Sequence, residues 1–211
     1  MPRFLLPGQT ARATAFSLWK DSAMPMVTLT KTFDVSALQG QPHVNACLVW
    51  AIGQAASRLP EFYLLPESDG FFAYERLAVN VIVKTESGGI CDCLIPWKPD
   101  FTAFLQDYLR LTRQAAVTGE CPGIEKADDC MVIGTSALTV TELDSAVNAC
   151  SPWPNPYLIW GRIRTDATLP VSFQFHHAQM DGYEAAAFLE ALQQSIGSFG
   201  HLHTRQGSSI I

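Results

Sequence analysis

Apolar residues along the chain fall into two alternating rhythms. From Val44 to Leu59, the positions Val44, Cys47, Leu48, Ala51, Ile52, Ala55 and Leu59 recur at the spacing of one helix face, and Pro60 closes the run. A second stripe, Phe101, Phe104, Leu105, Tyr108, Leu111 and Ala115, predicts a helix over Phe101 to Val117 with Asp100 as N-cap and Gly119 as stop. A third helix is expected just after Asp181-Gly182, carrying Ala185, Phe188, Leu189 and Leu192 inward up to about Ile196. Between the helices lie extended runs: Met26 to Phe33, Gly70 to Tyr74, Leu77 to Lys84, Cys130 to Gly134, Leu138 to Leu143, Tyr157 to Ile163 and Leu169 to Phe175. Turn signals such as Ser68-Asp69-Gly70, Ser87-Gly88-Gly89 and Ser151-Pro152-Trp153-Pro154 separate them. The pattern predicts an α/β fold of the two-layer α+β kind, a mixed β-sheet covered by helices.

No internal repeat or dividing linker is visible, so residues 1–211 are expected to form a single domain. The stretch from Gly197, GSFGHLHTRQGSSII, loses periodicity and reads as a loosely held tail over 197–211. Charge changes the picture by exclusion. A net charge of −6 with no local Lys/Arg cluster leaves no basic surface for nucleic acid. No run reaches the ~18 to 20 apolar residues of a membrane span, and the N-terminal MPRFLLPGQTARATAF is too short and proline-broken for a secretory signal. The chain therefore reads as cytoplasmic and as having no membrane partner.

Six cysteines (Cys47, Cys91, Cys93, Cys121, Cys130 and Cys150) include no C-x-x-C pair, and Cys91-x-Cys93 has no matching partner. They are expected to be reduced thiols, with Cys47 and Cys130 in apolar surroundings behaving as small core residues.

Candidate chemistry concentrates in QFHHAQMDG, Gln174 to Gly182, which holds two of the five histidines. It spans the connection from the strand ending at Phe175 to the helix starting after Gly182, where a fixed strand end projects side chains into a cleft. An imidazole there is suited to general-base work near neutral pH. A structural reading stands beside this one: His176 packs, Asp181 caps the helix and Gly182 makes the turn. A metal site drawing on His176, His177, Asp181, His201 and His203 is disfavoured, because adjacent residues of an extended segment face opposite ways. No metal is expected.

The string His176-His177-Ala178-Gln179-Met180-Asp181-Gly182 resembles the HHxxxDG signature of the chloramphenicol acetyltransferase family. Arg12-Ala13-Thr14-Ala15-Phe16 is similar to that family's N-terminal R-x-x-H-F, with Ala15 in the histidine's place. Phe33-Asp34-Val35-Ser36-Ala37-Leu38, Pro60-Glu61-Phe62, Asp69-Gly70 and Phe188-Leu189-x-x-Leu192-Gln193 also resemble family segments. Ser136-Ala137-Leu138 is similar to the serine-bearing S-A-L-P-W, without its Pro-Trp, and the family threonine of the penultimate strand falls at Ile159. The likeness runs over about residues 10 to 196.

The resemblance implies an acetyl-CoA-dependent O-acetyltransferase acting on chloramphenicol or a related small hydroxyl acceptor, hence a role in antibiotic resistance. His177 would be the general base, Ser136 the donor to the oxyanion, and Asp181 a positional residue paired with Arg12. The reaction would proceed in a ternary complex without an acyl-enzyme. With no glycine-rich phosphate loop, and Gly88-Gly89 reading as a hairpin turn, coenzyme A would lie in an extended channel. Family members are trimers with sites between subunits, which makes a homotrimer the expected assembly. Two rival readings stand beside this one: the acyltransferase core of 2-oxo acid dehydrogenase complexes, which usually carries Asp-His-Arg where this chain has His176-His177-Ala178, and a trimeric binding protein with a drifted pocket.

Overall fold

The computed structural model describes residues 1–121, 129–148 and 153–200. Its elements in chain order are β1 (Arg3–Leu5), α1 (Ala13–Trp19), β2 (Met26–Asp34), α2 (Val44–Ala56), β3 (Leu64–Glu67), β4 (Gly70–Ala73), β5 (Arg76–Lys84), β6 (Ile90–Pro96), α3 (Phe101–Thr118), β7 (Cys130–Leu138), β8 (Tyr157–Gly161), β9 (Thr168–His176) and α4 (Gly182–Gly197). Six strands form a mixed sheet in the order β2-β9-β8-β7-β5-β6, and β1-β4-β3 form a small antiparallel sheet. β5, β7 and β8 run parallel to one another, while β9 is antiparallel to both its neighbours.

The period of two along the strands decides which face meets the helices. On one face, Leu169, Val171, Phe173 and Phe175 of β9 join Leu158 and Trp160 of β8, Met131 and Ile133 of β7, and Leu77 and Val79 of β5 in a buried core. The same core takes Cys47, Leu48, Ala51, Ile52 and Ala55 from α2 and Phe188, Leu189 and Leu192 from α4. Each large side chain fully buried here contributes about 1.5–3 kcal/mol. The Asp100 carboxylate caps α3 by accepting from the Ala103 N–H at 2.7 Å, and Gly119 ends it at φ +70°.

Two expectations need correction, and four elements are new. Leu138 to Leu143 is not a strand: β7 itself continues to Leu138, and the following residues turn so that the Thr141 carbonyl crosses close over Gly161. A Cβ at Gly161 would lie 2.6 Å from that oxygen, so the β-branched run Thr139-Val140-Thr141 serves as a crossing. The tail is not loose from its start, since Phe199 is fully buried and its ring meets Trp50 and Phe101 edge-on. The remainder, 201–211, including His201 and His203, lies outside the described residues. Finally, β1, α1, β3 and β6 were not anticipated.

Cys47 and Cys130 are buried free thiols, and burial pushes the Cys47 thiol up to about 11. Cys91, Cys93 and Cys121 are also free, and Cys150 lies outside the described residues.

Candidate active site

The histidine pair sits where β9 stops and the chain turns into α4. His176 is the last residue of β9, paired with Met26, and lies 9% exposed. Its Nδ1 accepts the Ala178 N–H at 3.0 Å, which puts the ring hydrogen on Nε2. Burial first, and the adjacent His177 second, push its pKa down to about 4, so His176 is neutral at physiological pH. It is built into the turn.

His177 is held differently. Its backbone N–H donates to the Pro25 carbonyl at 2.8 Å, and its ring stacks on Trp19 with centroids 4.3 Å apart and planes 8° from parallel. The ring is half-buried, and Nδ1 is buried without a hydrogen-bond partner among the described residues. Orientation therefore comes from the stack and the backbone grip.

Arg12 supplies most of that grip. Its side chain, 8% exposed, donates from Nε to the Ala178 carbonyl at 3.3 Å, from Nη2 to the His177 carbonyl at 3.3 Å, and from Nη1 to Asp181 Oδ2 at 3.4 Å. Glu184 adds a second carboxylate 3.6 Å from Nη1. Asp181 is also the N-cap of α4: Oδ1 accepts from the Tyr183 N–H at 3.1 Å, while the Asp181 N–H donates back to Glu184 at 3.0 Å. A hydrogen bond with Glu184, then the Tyr183 N–H and Arg12, hold the Asp181 carboxyl below the ordinary range. The capping reading and the ion-pair reading of Asp181 are both realised. Between them, Ala178 packs against Phe16 and Phe71, and the Gln179 amide donates to the Glu61 and Leu64 carbonyls at 3.1 and 2.7 Å.

Ser136 is elsewhere on the same chain. It lies on β7, in register with Ile159 of β8, which is in register with Ser172 of β9. His177 is five residues beyond Ser172, so two strand spacings of about 4.8 Å and five rises of about 3.3 Å place the two some 19 Å apart. One chain does not bring its Ser136 to its own His177. Ser136 lies three residues after Ile133 of the helix-facing core and so faces away from the helices. Beside it on that face opens a cavity of about 820 Å³ lined by Phe72, Tyr74, Leu94, Val132, Trp153 and Tyr157 among others. Past the end of β7, Val44, Leu48, Thr139, Trp160 and Ile163 wall an apolar slot of about 250 Å³. Asn45 also lines this slot, and its Oδ1 is buried without a partner among the described residues. Thr139 and Thr141 are exposed, and Thr141 Oγ1 donates to the Glu142 carbonyl at 3.3 Å.

Sequence reasoning missed Trp19 and Tyr157. The signal for Trp19 is its place three residues after Phe16 on a short helix; for Tyr157 it is an aromatic residue opening a strand opposite Gly134. Among the described residues, no group of three or more His, Cys, Asp or Glu is placed to hold a metal ion, and no helix is long and apolar enough to cross a membrane.

No family model matches the chain. It is 25% identical over 188 residues to chloramphenicol acetyltransferase 3 of Escherichia coli, covering 84% of each chain. Among solved structures, a chloramphenicol acetyltransferase superimposes with a TM-score of 0.77 at 20% identity, covering 94% of this chain and 99% of that one. A probable dihydrolipoamide acetyltransferase from Listeria monocytogenes superimposes with a TM-score of 0.66 at 13% identity, covering 90% and 91%.

Proposed function

We propose that this chain, an acyltransferase with the chloramphenicol acetyltransferase fold, moves the acetyl group of acetyl-CoA to a hydroxyl of a small molecule such as chloramphenicol or a related acceptor. The observation that carries this reading is the presentation of His177: a half-buried imidazole at a strand end, clamped through its backbone and flat against Trp19. His177 Nε2 takes the acceptor's hydroxyl proton as that oxygen attacks the thioester carbonyl. The neutral ring then carries its hydrogen on Nδ1. The tetrahedral oxyanion receives a hydrogen bond from the Ser136 hydroxyl. Collapse breaks the carbon–sulfur bond, and the departing thiolate recovers the proton from His177. Arg12 and Asp181 act through position.

The separation of Ser136 and His177 within one chain gives this chemistry a quaternary requirement. Both groups must approach one carbonyl, so Ser136 comes from a second copy. A closed cyclic trimer uses one heterologous contact three times and makes three equivalent sites. The outer-face cavity, next to Ser136, then receives the acceptor, and the narrow apolar slot suits the pantetheine arm, with Asn45 Oδ1 as acceptor for an amide N–H. Conferring antibiotic resistance follows if chloramphenicol itself fits.

The test is thiol release from acetyl-CoA with a panel of alcohols that includes chloramphenicol. The proposal expects acceptor-dependent release that Ser136→Ala lowers in kcat by ~10²-fold or more with little change in acetyl-CoA affinity. No release with any alcohol, alongside tight binding of one, would leave a binding protein in place of the enzyme.

A further inference from the structure

The cavity on the outer face of the sheet holds an oriented, uncompensated carboxylate. Asn80 of β5 and Asp92 of β6 stand on this face, because the residues next to them in sequence, Val81 and Cys93, belong to the helix-facing core. Both line the cavity. Asn80 Oδ1 accepts the Cys93 N–H at 3.1 Å, which turns its amide nitrogen toward Asp92, and Nδ2 donates to Asp92 Oδ1 at 2.6 Å. Asp92 Oδ2 has no hydrogen-bond or ion-pair partner among the described residues. The other charge on the wall, the Met1 ammonium, is already held by Asp129 at 2.6 Å, and Asp129 also meets Arg76 at 3.2 Å.

Aromatic faces stand around the same space. Asn80 is in register with Gly134, and Gly134 with Tyr157. A Cβ at Gly134 would lie 2.2 Å from the Tyr157 ring, so the ring rests over β7, one strand away from the Asn80–Asp92 pair. Phe72, Tyr74 and Trp153 extend the aromatic wall. A carboxylate and ring faces around one cavity both attract a cation, whereas a neutral apolar occupant would cover the carboxylate and give it no partner.

We infer that this cavity is a cation subsite, and that the preferred acceptor is an alcohol carrying an ammonium group at its far end. The inference rests on the proposed reading of the cavity as the acceptor site. Asp92 is in register with Ile82, and Ile82 follows Val81, whose partner Thr135 precedes Ser136. Asp92 and Ser136 therefore lie two strand spacings apart, about 10 Å. One para-substituted benzene ring, with a hydroxymethyl group at one end and the cation at the other, spans that separation. The ammonium fixes the acceptor and takes no part in the transfer.

The experiment compares two alcohols of one shape, 4-(trimethylammonio)benzyl alcohol and 4-tert-butylbenzyl alcohol, which differ in charge. Their binding to the full chain and to Asp92→Asn is measured by titration calorimetry, with thiol release from acetyl-CoA on the same samples. A quaternary nitrogen cannot be acetylated, so release reports the hydroxyl. The parent should bind the cation ~tenfold or more tightly than the neutral alcohol, and Asp92→Asn should reduce that preference to within about threefold. The neutral alcohol should bind both proteins alike, which shows the cavity intact in the variant. Equal binding of the two alcohols by the parent, an undiminished preference in Asp92→Asn, or binding of neither would overturn the inference. Absent thiol release beside an Asp92-dependent preference would overturn acetyl transfer and leave the cation subsite standing.

Discussion

Replacing Arg12 by Ala removes a guanidinium that touches four groups at once, and the structure says which losses matter. The His177 and Ala178 carbonyls each lose a charged donor at 3.3 Å, Asp181 loses one at 3.4 Å, and Glu184 loses an ion pair at 3.6 Å. These distances lie just beyond the usual N–H···O range, so each carbonyl contact is worth about 1 kcal/mol, below the ~1.5 to 3 kcal/mol of well-placed charged donors. Ala178 is fully buried, so its carbonyl loses its charged donor in a buried setting. The Asp181 side chain, by contrast, is 45% exposed, which limits its share of the pair to under about 1 kcal/mol. Arg12→Ala should therefore lower stability by about 3 kcal/mol, whereas Asp181→Asn, which keeps a capping oxygen for Tyr183, should cost under about 1. Arg12→Lys should fall between, since an ammonium cannot reach all three acceptors as a fork does. In activity, a His177 backbone displaced by about 1 Å costs about 10²-fold, so Arg12→Ala should lose that much and Asp181→Asn less than about tenfold. Urea unfolding at one fixed protein concentration, with steady-state kinetics on the same preparations, measures both, and the double mutant should be less impaired than the sum. If Asp181→Asn were as damaging as Arg12→Ala, and the double mutant no worse than either, the ion pair rather than the carbonyl grip would be holding the histidine.

His177→Ala should cut turnover by ~10² to 10⁴ without unfolding the chain, and His176→Ala should cost far less in kcat; equal losses would void the assignment of the base. Because the folded state holds His176 near a pKa of about 4 against an ordinary 6.5, protonation favours the unfolded chain. Its stabilising contribution is complete above pH 6.5 and is lost, up to about 3 kcal/mol, as pH falls to about 4. Denaturation series at pH 7, 5 and 4 should show this decline in the parent and a shallower one in His176→Gln. Light scattering should give three times 23.1 kDa, and a fully active monomer at assay concentration would refute the shared site.

The long helices were legible because each buries one continuous stripe; Phe104, Leu111 and Ala115 of α3, for instance, are all buried as the spacing requires. The Arg12–Asp181 contact was readable only through the resemblance, since 169 residues separate the two in sequence. Short elements escaped: α1 has seven residues and one buried side chain, Phe16, and β1 has three residues with no alternation to detect. Thr139-Val140-Thr141 has strand composition but is spent on a crossing that only the absent side chain of Gly161 permits. The distance between Ser136 and His177 was invisible for a different reason. It depends on the strand order β9-β8-β7 and on the register across both ladders, which pairing, and not any local pattern, decides.

Subunit mixing tests the central claim most directly. Neither His177→Ala nor Ser136→Ala subunits should be active alone, but a mixed cyclic trimer contains one interface where an intact His177 meets an intact Ser136 of the neighbouring copy. Co-expressed in equal amounts and assembled at random, three-quarters of the trimers are mixed, and each restores one site in three, so total activity should return to about one-quarter of the parent value. Activity no greater than that of the two variants assayed separately, in mixtures verified to contain hybrid trimers, would mean that each chain completes its own site and would contradict the shared arrangement of His177 and Ser136.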